Sequence, residues 1–130
     1  MAAEAAGGFC ILVVDDEEGA RLALRRMLES AGYRVLEAPN GRVALNLCHS
    51  RHVDLVITDI FMPEQEGMET IRALRREFPG VKVVAVSGKA SEVYMKTAKL
   101  LGAEATLEKP LRMESLLETV RSLLRGQPES

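Results

Sequence analysis

The sequence predicts a doubly wound α/β domain, a (βα)5 parallel five-stranded sheet with helices on both faces. Short apolar runs of buried-strand length alternate strictly with stretches whose apolar residues recur at helical spacing. The 130 residues, 47% hydrophobic and 28% charged, suffice for one compact core and leave no room for a second domain. No shorter internal repeat suggests a solenoid. Strands alternating with helices pair in parallel, because each right-handed crossover lays its helix over one face of the sheet.

Residues 1–8 read as a flexible leader before a domain spanning 9–125. Cys10 to Val14 is the first strand, a continuous apolar run of the kind buried on both faces. Leu22, Leu24, Met27 and Leu28, set among Arg21, Arg25 and Arg26, mark an amphipathic helix. Ala31-Gly32-Tyr33 closes it, with Gly32 suited to a left-handed cap. Arg34 to Ala38 is the second strand, after which Asn40 caps a helix carrying Val43, Ala44, Leu45 and Leu47. Leu55 to Thr58 is the third strand. Met62-Pro63 bars direct helical continuation and Gly67 allows a turn; Met68, Ile71, Leu74 and Phe78 then recur until Pro79-Gly80 stops the helix. Val81 to Ser87 is the fourth strand. Ser91 caps a helix with Tyr94, Met95, Ala98 and Leu101, and Gly102 lies behind it. Ala105 to Glu108 is the last strand; Leu116, Leu117, Val120, Leu123 and Leu124 mark the final helix, and residues 126–130 read as a frayed tail.

A net charge of −2 supplies no basic field for direct nucleic-acid binding, and no aromatic residues interleave with basic ones to stack bases. The N-terminus lacks a cationic start followed by an apolar stretch, and no apolar run approaches bilayer-spanning length, so neither secretion nor membrane insertion is expected. Cys10 and Cys48 show no metal-ligand or redox spacing and read as reduced, near-core thiols of a cytoplasmic protein.

The chemistry lies where the strands stop. Asp15-Asp16, Asp59, Ser87 and Lys109-Pro110 each end or follow an apolar strand run, and in an open parallel sheet all strand carboxyl ends open on one edge. These residues would therefore meet in a single crevice. Asp15-Asp16, with Glu17 and Glu18 behind, read alone as an acidic helix start; two carboxylates without an adjacent basic partner equally suit magnesium, which takes few carboxylates plus water and phosphate. Asp59 can cap the turn after its strand, or attack phosphorus to form an acyl phosphate. A Ser87 hydroxyl can bond one phosphoryl oxygen and a Lys109 ammonium neutralise another, although each residue is ordinary in a loop. Together the four placements point to phosphoryl transfer.

On these residues the chain resembles the response-regulator receiver domain of two-component, or phosphorelay, signalling over about Phe9 to Leu124. The matching pieces are Leu-Val-Val-Asp15-Asp16-Glu17; Ala31-Gly32-Tyr33 through Ala38-Pro39-Asn40-Gly41 and Ala44-Leu45; Asp59-x-x-Met62-Pro63-x-x-x-Gly67; Ser87-Gly88; and Gly102-Ala103 leading to Lys109-Pro110-Leu111. The resemblance implies a flavodoxin-like strand order 2-1-3-4-5 and a cis Lys109-Pro110 peptide. It implies that Asp59 is the phosphoacceptor, served by a sensor histidine kinase or a histidine phosphotransfer protein. Asp16 and Asp59 would bind Mg2+ directly, with Mn2+ able to substitute. Asp15 would act mainly through water, and the Phe61 backbone carbonyl would complete the protein ligands. Ser87 and Lys109 would hold the phosphoryl oxygens. Further implications are self-catalysed phosphoryl uptake and loss without a separate substrate, a switch of the face formed by the fourth helix, fifth strand and fifth helix, an unnamed downstream protein target, and a monomer or weak homodimer.

Two positions depart from the family pattern. Thr106 stands where many relatives carry an aromatic residue that swings inward, so a smaller switching motion is expected. Phe61 is large and apolar where many relatives are polar or small; its ring either packs on the loop or hinders water attack on the acyl phosphate. His49 and His52 fall outside every motif and read as helix-end or solvated residues, and Arg21, Arg25, Arg26, Arg72, Arg75 and Arg76 as solvated helix faces. Two rival readings remain: a pseudo-receiver that only binds partners, and a magnesium-dependent phosphohydrolase of the haloacid dehalogenase type. The second needs a further carboxylate where Phe61 stands.

Overall fold

The computed structural model describes residues 8–62, 66–88 and 92–125. Its elements run β1 (Cys10–Val14), α1 (Glu18–Ser30), β2 (Arg34–Ala38), α2 (Gly41–Ser50), β3 (Leu55–Asp59), α3 (Glu66–Glu77), β4 (Lys82–Ser87), α4 (Glu92–Leu101), β5 (Ala105–Glu108) and α5 (Met113–Leu124). The sheet order is β2-β1-β3-β4-β5, and every pairing is parallel. Where the expected bounds differ, they differ by one residue. β3 extends to Asp59, which pairs with Val86, so the candidate acceptor is itself the last strand residue.

Alternation along the strands divides the core in two. Ile11, Val13, Leu55, Ile57, Val84 and Val86 face α1 and α5 through Leu24, Leu28, Leu116 and Val120. Leu12, Val14, Val56, Val83 and Ala85 face the other way, onto Ala44 and Cys48 of α2, Ile71 and Leu74 of α3 and Ala98 of α4. Each fully buried aliphatic side chain contributes about 1.5–3 kcal/mol, so central strands apolar on both faces anchor the sheet and leave polar residues only at its ends. Both cysteines are free and buried; the Cys48 thiol is pushed up to about 11 by burial and, secondarily, by the neighbouring Cys10. No described helix is long and apolar enough to cross a membrane.

The expected caps are present where they can be seen. Asn40 Oδ1 accepts the Val43 N–H at 2.9 Å. Gly32 has φ 95° and Gly102 φ 126°, the left-handed conformation that ends a helix on glycine. Gly67 is a correction. It lies in the first turn of α3, not in a bend before it, and a Cβ there would come within 2.4 Å of Ile60 Cα. Its lack of a side chain lets α3 start against the chain that leaves β3. Pro63, the Ser91 cap, leader residues 1–7 and the tail 126–130 lie outside the described residues.

Candidate functional site

Lys109 Nζ donates to Asp15 Oδ2 at 3.1 Å and to Asp59 Oδ2 at 2.9 Å, joining residues 94 and 50 positions away in the chain. Asp15 emerges from β1 and is nearly inaccessible; its N–H bonds the Ala38 carbonyl at 3.2 Å, and its Oδ1 accepts the Glu17 N–H at 2.9 Å. Asp59 is equally fixed, since its Oδ1 accepts the Phe61 N–H at 2.9 Å. Lys109 follows β5 with its N–H on the Ser87 carbonyl at 2.8 Å, and its peptide to Pro110 is cis, as expected. Ser87 ends β4 and is fully buried. Burial is the largest single influence on the Lys109 ammonium and pulls its pKa down. Hydrogen bonds and charges from Asp59 and then Asp15 together outweigh it, and the pKa ends above the usual lysine value.

The basic partner that the acidic pair lacks in sequence thus arrives through the fold. The pair itself is divided: Asp15 is buried against Lys109, whereas Asp16 is exposed. Among the described residues, no three or more His, Cys, Asp or Glu side chains gather into a preformed metal cage. The donor chemistry nevertheless suits a hard cation. Two buried carboxylates already converge on one positive charge, and magnesium uses one or two carboxylates and completes its shell with water and phosphate.

Phe61, Arg21 and Arg75 make contacts that no sequence pattern signals. The Phe61 ring meets Tyr94 of α4 edge-on, centroids 4.6 Å apart, so the chain just after Asp59 touches the fourth helix. Arg21 and Arg75, expected on solvated faces, are pinned instead. Arg21 bonds the Asp15 carbonyl and Glu37. Arg75 bonds Glu104 and the Val81 carbonyl, tying α3 to the start of β4. Nothing in local sequence separates these arginines from their solvated neighbours. His49 and His52 sit at the surface, paired with Glu77 and Asp54.

The sequence pattern of the family described as response regulator receiver domain matches residues 11–121. The chain belongs to that family. Among relatives of this receiver domain, it is 38% identical over 115 residues to "Response regulator MprA" of Mycolicibacterium vanbaalenii, covering 88% of this chain and 50% of that protein. It is 34% identical over 128 residues to "Sensor kinase CckA" of Brucella abortus, covering 97% of this chain and 14% of that protein. The chain therefore spans about half the length, or less, of these curated relatives. The crystal structure of a CheY-like response regulator receiver domain protein from Methanospirillum hungatei JF-1 is similar, with 30% identity and a TM-score of 0.85 over 91% of this chain and 94% of that one. A response regulator from Thermotoga maritima matches with 31% identity and a TM-score of 0.83, over 90% and 98% of the two chains.

Proposed function

We propose that this receiver domain takes a phosphoryl group onto Asp59 from a phosphohistidine and loses it to water, acting as a phosphorylation-controlled signalling module. The observation that carries the reading is the Lys109 ammonium shared by Asp15 and Asp59. In the forward step an Asp59 carboxylate oxygen bonds phosphorus, the histidine N–P bond breaks, and the imidazole leaves with its electron pair. Hydrolysis then restores the carboxylate and releases inorganic phosphate.

A loose phosphoryl-transfer transition state needs alignment and charge compensation more than covalent help. Mg2+, or Mn2+ in its place, would be held by Asp16, Asp59 and the Phe61 carbonyl, with Asp15 through water, and would supply charge neutralisation for the phosphoryl oxygens. Lys109 would do the same and, once an Asp59 carboxylate oxygen is phosphorylated, can pass to a phosphoryl oxygen within hydrogen-bond reach. The Ser87 hydroxyl bonds a further oxygen.

A groove of about 440 Å³ runs beside Lys109, lined by Ala20, Leu24, Met27, Gly88 and Leu111. It offers the phosphodonor, a sensor histidine kinase or histidine phosphotransfer protein, an apolar seat next to the acceptor. Output goes through α4, β5 and α5 to a downstream protein; Val93, Tyr94 and Leu100 of α4 and Met113 of α5 are exposed.

The test is incubation with magnesium and acetyl phosphate or phosphoramidate, followed by intact mass. A phosphate adduct that requires magnesium and disappears in Asp59→Asn is expected. Absence of any adduct favours a binding-only module, and turnover of varied phosphomonoesters favours a hydrolase.

A further inference from the structure

Arg21 has both ends of its guanidinium engaged, and its side chain is only 15% exposed. Nη1 donates to the main-chain carbonyl of Asp15 at 2.8 Å, and Nε donates to Glu37 Oε1 at 3.1 Å. Glu37 Oε2 is held in turn by Arg25 Nη1 at 2.8 Å, and Arg25 Nε reaches Glu29 Oε2 at 2.9 Å. Glu37 precedes Ala38 on β2, and the Ala38 carbonyl accepts the Asp15 N–H. Asp15 is therefore gripped by β2 on both sides, its N–H by the strand backbone and its carbonyl by an arginine that a strand side chain anchors.

Peptide planarity passes this restraint on. The Asp15 carbonyl shares one plane with the nitrogen and Cα of Asp16, so holding the oxygen holds the point from which the Asp16 side chain departs. The Asp16 carboxylate itself makes no hydrogen bond or ion pair among the described residues, so its placement comes through the backbone.

We infer that Arg21 is a positioning residue for the acidic pair. It touches neither the phosphoryl group nor the cation, and it sets where the Asp16 carboxylate stands by clamping the Asp15-Asp16 peptide to β2. The inference rests on the proposed magnesium-dependent phosphoryl transfer. The rigid guanidinium fork suits this role, because one planar group reaches a carbonyl and a carboxylate at once; a lysine ammonium is a point charge on a flexible stem.

The test is calorimetric titration of the full chain with magnesium chloride alone, beside thermal unfolding of each variant. Arg21→Met is expected to bind Mg2+ at least about tenfold more weakly, the usual scale for loss of a residue that orients metal ligands. Arg21→Lys and Glu37→Gln are expected to lose affinity to intermediate degrees. Labelling of Arg21→Met by acetyl phosphate should lag at low magnesium and recover as magnesium is raised, a split that simple loss of stability does not produce. A folded Arg21→Met that binds Mg2+ as tightly as wild type overturns the inference and leaves Arg21 a structural pin. If Arg21→Met does not fold, wild-type affinity in both Arg21→Lys and Glu37→Gln overturns it equally. No Mg2+ uptake by wild type in the same titration sinks the phosphoryl-transfer reading, and this inference with it.

Discussion

Lys109→Met keeps most of the stem and removes the positive charge that two carboxylates share. At 2.9 and 3.1 Å, with an effective dielectric of about 20, each contact carries roughly 5 kcal/mol of gross attraction. Desolvation offsets most of this, and removing one partner of a fully buried pair costs about 3–5 kcal/mol net. The carboxylates are almost inaccessible, but the lysine side chain is 28% exposed, so water already shares its charge. The expected loss is therefore about 2 kcal/mol. In a domain of this length that lowers Tm by roughly 6–10 °C.

A double-mutant cycle with Asp59→Asn isolates the cause. In that background only Asp15 is left without a counter-charge, and the cost of Lys109→Met should fall to about 1 kcal/mol. Magnesium chloride should raise the Tm of Lys109→Met more than that of wild type, because a bound cation replaces the missing charge. Thermal unfolding by circular dichroism at neutral pH reads all of these. Lys109→Met melting within about 2 °C of wild type, or the same drop in both backgrounds, would refute the shared-charge account.

Phe61→Asn should shorten the acyl-phosphate lifetime, measured as decay of the mass adduct after the donor is removed; equal lifetimes would remove the shielding role of the ring. The pKa of Glu37 is lowered, chiefly by the hydrogen bond from Arg25 and further by Arg21, with burial opposing. Its contribution is thus present above the unfolded glutamate value of about 4.3 and lost as pH falls through the lower folded value. Glu37→Gln should be less stable than wild type by up to about 1 kcal/mol at pH 7, and the two denaturation midpoints should converge in acid. A gap that persists below both pKa values would count against the ion pair. Gly67→Ala places a Cβ within 2.5 Å of the Asp59 carbonyl oxygen as well as against Ile60. Since backbone must move to admit it, a loss of about 1–3 kcal/mol is expected, with lower adduct yield; a wild-type urea midpoint would refute the close approach.

Local signals reported the elements well. The apolar runs Cys10–Val14 and Leu55–Thr58, the Asn40 cap and the glycines at 32 and 102 all act within a few residues, and they sit in the structure as read. Glycine marks a turn and a close backbone approach by the same letter, so Gly67 reads as a turn in sequence and is a close approach in the structure. The arginines defeat pattern reading for a related reason. Arg21, Arg25 and Arg26 share one amphipathic helix; Arg21 and Arg25 both reach Glu37 of β2, and the bond to the Asp15 carbonyl is what sets Arg21 apart. Phe61 is an unusual residue in sequence, but its contact with Tyr94 depends on where α4 lies.

The sequence by itself determined which residues end strands, because apolar periodicity and turn chemistry are short-range properties of the chain. It therefore placed Asp15, Asp16, Asp59, Ser87 and Lys109 on one edge of a sheet. The tertiary structure alone decided that Lys109 is shared by Asp15 and Asp59 while Asp16 stays at the surface, and that Arg21 holds the peptide between the two acids. Side-chain distances across the crevice follow from strand order, register and helix packing, which bring together residues far apart in the chain, and no local pattern encodes them.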